Sequence, residues 1–292
     1  MGDEIATPEE GDEFHRFGSV HTMLKLDALG QYLPTYTTAL KKLPFRLHYI
    51  DAFAGTGVCY IKVAGRRLLV PGSAKIALDC KPPFHRMVFI EKSLKRYRAL
   101  TRLTEKAGDR DFVIVQSDAN EVIPRYLASL GSKDRALVFL DPYGMQVAWD
   151  TLRALASSRI SDVWYLFPLS GLYRQAALDA AAIDADKAAA LTRIFGTEEW
   201  KSAFYEQRRQ TQLFGEPPGE ERTADVDDML QWVRRRLETI FPGVLEPKLL
   251  HQVRQGGTQG SPLFALFFAV SNPAPKAKDL ALRLARSILF KK

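Results

Sequence analysis

Tyr49-Ile50-Asp51-Ala52-Phe53-Ala54-Gly55-Thr56-Gly57 is an apolar run that ends in an acid and then a tight Gly-x-Gly turn. Leu47 to Phe53 reads as a short buried strand, and the two glycines let the backbone turn sharply and approach a ligand where a Cβ would collide. Val58-Cys59-Tyr60 comes next, so the third glycine of the dinucleotide fingerprint is missing. A nicotinamide or flavin pyrophosphate site is disfavoured accordingly.

Four further apolar runs follow. Arg86 to Ile90 ends at Glu91, where a doubly wound fold presents an acid to ribose hydroxyls, and Phe112 to Val115 ends near Asp118, whose carboxylate could take an adenine amino group. Ala136 to Leu140 carries Asp141-Pro142-Tyr143-Gly144 at its carboxyl end, and Ser161 to Phe167 ends in Phe167-Pro168. Open α/β sheets bind ligands at the carboxyl ends of their strands, so one crevice is expected to collect Asp51, Glu91, Asp118 and Asp141. Taken singly, each acid is equally well a helix N-cap or a turn residue.

The 292 residues suffice for a substantial core, as one large domain or two smaller ones. There is no run of about 18 apolar residues, which argues against a transmembrane helix, and the acidic start, Met1 to Asp12, does not read as a secretion signal. Cys59 and Cys80 are too few and too far apart for a disulfide framework or zinc cluster, and both are read as reduced thiols of a cytoplasmic protein. Cys59 stands just past the glycine turn, but no nearby His-Asp pair supports a nucleophile. The histidines His15, His21, His48, His85 and His251 lack ligand spacing, so no metal site is expected.

A net charge of +7 permits a polyanionic partner. The basic residues concentrate in Lys92, Lys95, Arg96, Arg98 and Arg102, in Arg208-Arg209, and in Arg234 to Arg236. The last two groups lie in a stretch that interrupts the sheet pattern. There, Leu172 to Leu191 and Glu198 to Gln212 read as helices, the second capped by Thr197. Pro217-Pro218-Gly219 breaks the chain. Val226, Met229, Leu230, Val233, Leu237 and Ile240 then mark an amphipathic helix. These helices are expected to form an insertion over the crevice. Pro247 to Arg254 and Leu263 to Val270 read as a late hairpin, and Ala277 to Phe290 as a closing helix. The expected organisation is one domain, 1–292, made of an N-terminal helix (18–42), a cofactor-binding core (45–170), the helical insertion (171–243), and the terminal hairpin and helix (244–292).

Val20, Met23, Leu24, Leu26, Leu29, Leu33 and Tyr36 give the N-terminal helix its pattern, and His21, Thr22 and Lys25 on its first turns are candidates for an active-site role. Tyr60 to Val70 is expected to form a small hairpin around Gly65-Arg66-Arg67, and Pro71-Gly72-Ser73 to open the next helix, with Ser73 as its expected N-cap. The free amides of that helix could receive a carboxylate. S-adenosylmethionine carries a carboxylate, a ribose and an adenine, and so accounts for the glycine turn, Glu91 and Asp118 together. The candidate cofactor-binding residues are Asp51, Phe53, Ala54, Gly55, Gly57, Ser73, Glu91, Lys92, Asp118 and Ala119.

The set Asp51 to Gly57, Pro71-Gly72-Ser73, Phe89-Ile90-Glu91-Lys92 and Phe139 to Gly144 resembles the three-Cys-motif partner protein family. So do His21-Thr22 with Lys25, Tyr32-Leu33, and Phe195-Gly196-Thr197-Glu198-Glu199-Trp200. The resemblance spans nearly the whole chain. It implies an α/β class I methyltransferase, Rossmann-like fold: a mostly parallel seven-stranded sheet with a late antiparallel hairpin. It also implies a methyl-donor site and a companion protein with a three-cysteine motif, but supplies no substrate.

The substrate reading rests on Asp141 to Gly144. Amino-methyltransferases acting on bases hold the exocyclic nitrogen with an Asp/Asn-Pro-Pro-aromatic loop whose ring stacks on the flipped base. Here Gly144 takes the aromatic position, and the stretch is closer to the Asp-Pro-Phe-Gly of tRNA guanine-N2 methyltransferases. The bland alternative is a strand-end turn. The expected activity is S-adenosylmethionine-dependent methylation of an exocyclic amine of a nucleic-acid base, in tRNA or DNA. Asp141, Pro142 and Tyr143 would be catalytic, and Gly144, Phe167, Pro168, Arg208 and Arg209 would hold the substrate. A non-catalytic cofactor-binding subunit that docks the companion, or a small-molecule or protein methyltransferase, are the other readings, because fold does not determine function.

Overall fold

Apolar side chains fill both faces of the central strands, which is what a sheet covered by helices on each side requires. The computed structural model describes residues 20–63, 66–105, 107–207, 219–253 and 258–291. The chain runs α1 (Val20–Leu40), β1 (Arg46–Asp51), β2 (Val58–Val63), β3 (Arg66–Pro71), α2 (Ser73–Asp79), β4 (Arg86–Ile90), α3 (Leu94–Thr104), β5 (Phe112–Val115), α4 (Ala119–Ala128), β6 (Asp134–Leu140), α5 (Trp149–Ser158) and β7 (Ser161–Phe167). It continues through α6 (Leu169–Gln175), α7 (Ala185–Phe195), α8 (Trp200–Phe204), β8 (Tyr205–Gln207), β9 (Glu220–Arg222), α9 (Val226–Glu238), β10 (Gly243–Val244), β11 (Lys248–Val253), β12 (Gln259–Val270) and α10 (Pro275–Leu289).

The main sheet runs β10-β12-β7-β6-β1-β4-β5, with β11 also on β12. β7, β6, β1, β4 and β5 are parallel, and β12 enters antiparallel to β7. The sheet has eight strands rather than seven, because two short segments share one edge of β12. β11 pairs with its first half and β10 with Ala269 and Val270, so the sheet is seven positions wide. This is a doubly wound, Rossmann-like order with the late hairpin in place.

Period-two alternation sorts the side chains into two cores. Ala136, Val138, Leu140, Val163, Tyr165, Phe167, Ala265 and Phe267 face α4, α5, α6, α7 and α9, while Leu137, Phe139, Trp164, Leu166, Leu266 and Phe268 face α1, α2 and α10. The amphipathic stripe at Met229, Leu230, Val233 and Leu237 buries against the first core, as its spacing requires.

Three local expectations are corrected. The single helix at Leu172 to Leu191 is broken into α6, a short 3-10 turn at Ala180–Ala182 and α7, because the Asp179 and Asp184 carboxylates each accept from backbone amides and start new turns. The described part of the second expected helix, 198–207, is the one-turn α8 followed by β8, which pairs with β9. Among the described residues, none of the helical segment lines the crevice: Leu191, Ile194, Phe195, Trp200 and Phe204 belong to the layer beside the sheet.

Candidate functional site

A cleft of about 260 Å³ opens at the carboxyl edge of the sheet, lined by Thr22, Lys25 and Leu26 of α1, the turn from Phe53 to Tyr60, Gly72, Ser73, Asp141 to Gly144, and Phe264. The turn is shaped by its glycines. Gly55 and Gly57 have φ of +61° and +77°, and a Cβ on Gly57 would lie 3.0 Å from Leu100 and 3.1 Å from Leu103 of α3. A Cβ on Gly72 would lie 3.0 Å from the Gly57 backbone, so the turn and the start of α2 press together without side chains. At Gly55 the corresponding position meets no protein atom and is open.

Asp51 is fully buried beneath this turn, accepting from the Phe53 amide and the Tyr49 hydroxyl. Burial drives its carboxyl up to about 7, opposed by the Ser73 hydroxyl and reinforced by the Asp141 charge. Ser73 therefore serves Asp51; the N-cap of α2 is Gly72, with no side-chain cap. Between about pH 4 and 7 the folded protein holds a proton on Asp51 that the unfolded chain releases, so stability is lost as pH rises through that window. Asp51→Asn is expected to cancel this loss, its advantage over wild type growing toward about 4 kcal/mol at pH 8 as an upper bound. Urea titrations at pH 5 and pH 8 check it; parallel losses in both proteins would remove Asp51 as the source.

Asp141 follows β6 and lies against α1: Lys25 Nζ donates to its Oδ2 at 2.5 Å, with the two side chains 15% and 21% exposed. Asp141 Oδ1 makes no hydrogen bond among the described residues, leaving an acceptor toward the cleft. Pro142 is buried, and Tyr143 is 38% exposed with the Arg96 guanidinium 4.7 Å from its ring centroid. Two anchors hold the loop. Asn120 donates to Gln146 O and accepts from the Ala148 amide and Thr151 hydroxyl, while Arg193 of α7 donates to Met145 O at 2.6 Å and Gln146 O at 3.1 Å.

The crevice does not collect all four acids. Glu91 is 3% exposed and accepts from the Gly55 amide at 3.1 Å, the Ser93 amide at 2.7 Å and the Arg96 guanidinium at 2.9 Å, so it fastens the glycine turn to the start of α3. Asp118 caps α4 through Asn120 and pairs with the exposed Lys92 at 3.0 Å, and Ala119 is buried behind it. None of Asp51, Glu91, Lys92, Asp118 and Ala119 lines the cleft. Phe167 and Pro168 do not line the cleft either. Phe167 points into the first core against Tyr165 and Phe267, and the buried Pro168 begins α6. Arg208 and Arg209 lie outside the described residues. Burial pushes the Cys59 thiol up, the opposite of what a nucleophile needs.

Phe264, Asn120 and Arg193 carry no signal that the sequence reading used. Phe264 reaches the cleft because Ala265 pairs with Phe167, which places Phe264 one residue past the carboxyl end of β7.

No protein-family model and no curated protein matches the chain. Among solved structures, a protein of the family DUF519 from Legionella pneumophila aligns at TM-score 0.53 and 11% identity over 93% of each chain, a likeness of fold alone. Trm1 from Pyrococcus horikoshii, solved with S-adenosyl-L-methionine, aligns at TM-score 0.47 and 14% identity over 94% of this chain and 61% of its own. An S-adenosylmethionine-dependent methyltransferase from Clostridium acetobutylicum aligns at 0.35 and 10%, over 84% and 92%.

Proposed function

We propose that this chain binds S-adenosylmethionine and methylates an exocyclic amine of a nucleic-acid base. The observation that carries the reading is the meeting of the glycine turn and Asp141 in one cleft at the carboxyl edge of the sheet. The cofactor supplies an electrophilic methyl group. The open backbone at Gly55 and the tight Gly57–Gly72 contact leave room for it beside the turn. Asp141 Oδ1 accepts from the amine and keeps its lone pair aimed at the methyl, while Lys25 on Oδ2 holds the carboxylate in place. Glu91 supports the turn from behind rather than touching the cleft. The exposed Lys92, Lys95, Arg98 and Arg102 on and before α3 would contact phosphates, giving affinity that falls steeply with salt.

A second reading is a cofactor-binding subunit that docks a companion with a three-cysteine motif. Leu178, 58% exposed, and Tyr173, 42% exposed, on the helical segment favour it. Calorimetric titration with S-adenosylmethionine tests the shared premise. Micromolar binding is expected for wild type, with loss of at least tenfold in Gly55→Val, whose side chain would project into the open space beside the turn. No binding to the folded wild type would overturn both readings. Binding without transfer to bulk tRNA or DNA would favour the subunit.

A further inference from the structure

A second cavity, about 320 Å³, lies at the opposite edge of the sheet, between the last turns of α1, the first turns of α10 and the amino ends of β6 and β7. No described residue lines both it and the Asp141 cleft. Its walls are apolar, built from residues such as Leu40, Leu43, Leu280 and Leu284, and its size suits a small ligand.

One polar group of this wall stands apart. Tyr32, packed edge-on to Trp164, is fully buried with its hydroxyl closed off from the cavity. Asp162, near the start of β7, is the one acid of the lining, and among the described residues no hydrogen bond or ion pair reaches its carboxylate. Burial lifts the Asp162 carboxyl to about 7, and after burial itself its charge is the largest influence raising the Tyr32 and Tyr36 hydroxyls, which places all three groups together.

The Arg135 charge opposes the rise of the Asp162 carboxyl, but among the described residues no direct ion pair joins the two. Arg135 donates to Ser132 O at 2.8 Å and Asp134 O at 2.6 Å and lies over the Phe45 ring at 3.8 Å, while Lys276 is exposed. A carboxylate accepts from a group rich in donors, and an ammonium has donors only.

We propose that this cavity binds a small amine carried on an apolar body, its ammonium paired with Asp162. The site is independent of the methyl-donor reading. Calorimetric titration of the full chain with tryptamine and with hexylamine tests it, with indole-3-propionate as the probe of opposite charge. Both amines are expected to bind, tryptamine at least tenfold tighter than indole-3-propionate. Asp162→Asn should weaken tryptamine about tenfold, and Ala39→Trp should block the cavity from its rim. The proposal is overturned if neither amine binds at millimolar concentration, if Asp162→Asn binds tryptamine as wild type does, or if indole-3-propionate binds as tightly. Should Asp162→Asn fail to fold by its melting curve, the comparison of the two indole probes on wild type decides alone.

Discussion

On the proposed activity, Asp141→Ala is expected to lower methyl transfer by about 10³-fold while leaving the dissociation constant for S-adenosylmethionine within about threefold of wild type. The carboxylate sits at the end of β6 with one oxygen on Lys25 and the other open to the cleft, and it touches the glycine turn through no hydrogen bond. Its removal therefore takes away an acceptor for the reacting amine and leaves the turn, held by Glu91 and Gly72, as it is. Transfer of labelled methyl to bulk tRNA and DNA, measured beside calorimetric cofactor binding, separates the two effects. Equal loss of both would move Asp141 to the cofactor site. Lys25→Ala should act in the same direction but less, because the carboxylate survives and loses only its partner in a partly buried pair.

Gly196→Ala is expected to cost about 3–5 kcal/mol of stability, combining left-handed backbone strain with overpacking. Gly196 ends α7 at φ +65°, and a Cβ there would fall 2.1 Å from Trp149 Cδ1 and 2.4 Å from Cγ. Trp149 begins α5 directly after the Asp141 loop, and Arg236 lies over its ring at 4.7 Å, so the indole cannot withdraw without disturbing both. Gly108 has the same φ with nothing within 4 Å, and Gly108→Ala should cost only about 1–2 kcal/mol. Urea denaturation of both variants checks the difference. Equal losses would show that Trp149 yields easily and that only backbone strain matters.

Local pattern was sufficient for much of this molecule. Apolar runs such as Phe112 to Val115 and Ser161 to Phe167 coincide with β5 and β7, and the three-and-four spacing from Val226 coincides with α9, because burial on both faces of a strand or one face of a helix is written into neighbouring residues. The glycine turn and Asp141 were legible for the same reason: each ends a strand, and parallel strands share one carboxyl edge. The alanine-rich stretch from Leu172 misled, because alanine permits a helix anywhere and the Asp179 and Asp184 caps decide where one begins.

What tertiary structure alone decided are the partners. Lys25 meets Asp141 across 116 residues, Glu91 turns its carboxylate to Gly55, Ser93 and Arg96, and Arg193 reaches back to Met145 and Gln146. A lone acid at a strand end reads alike whether it faces a ligand, caps a helix or ties down a turn. The choice is made by which donors the packed helices bring within hydrogen-bond range, and in a low-dielectric interior an unpaired charge is too costly to leave that choice open. Asp162 is the converse case, since packing α1 and α10 over the amino ends of the strands left one acid in an apolar cavity that no periodicity could announce.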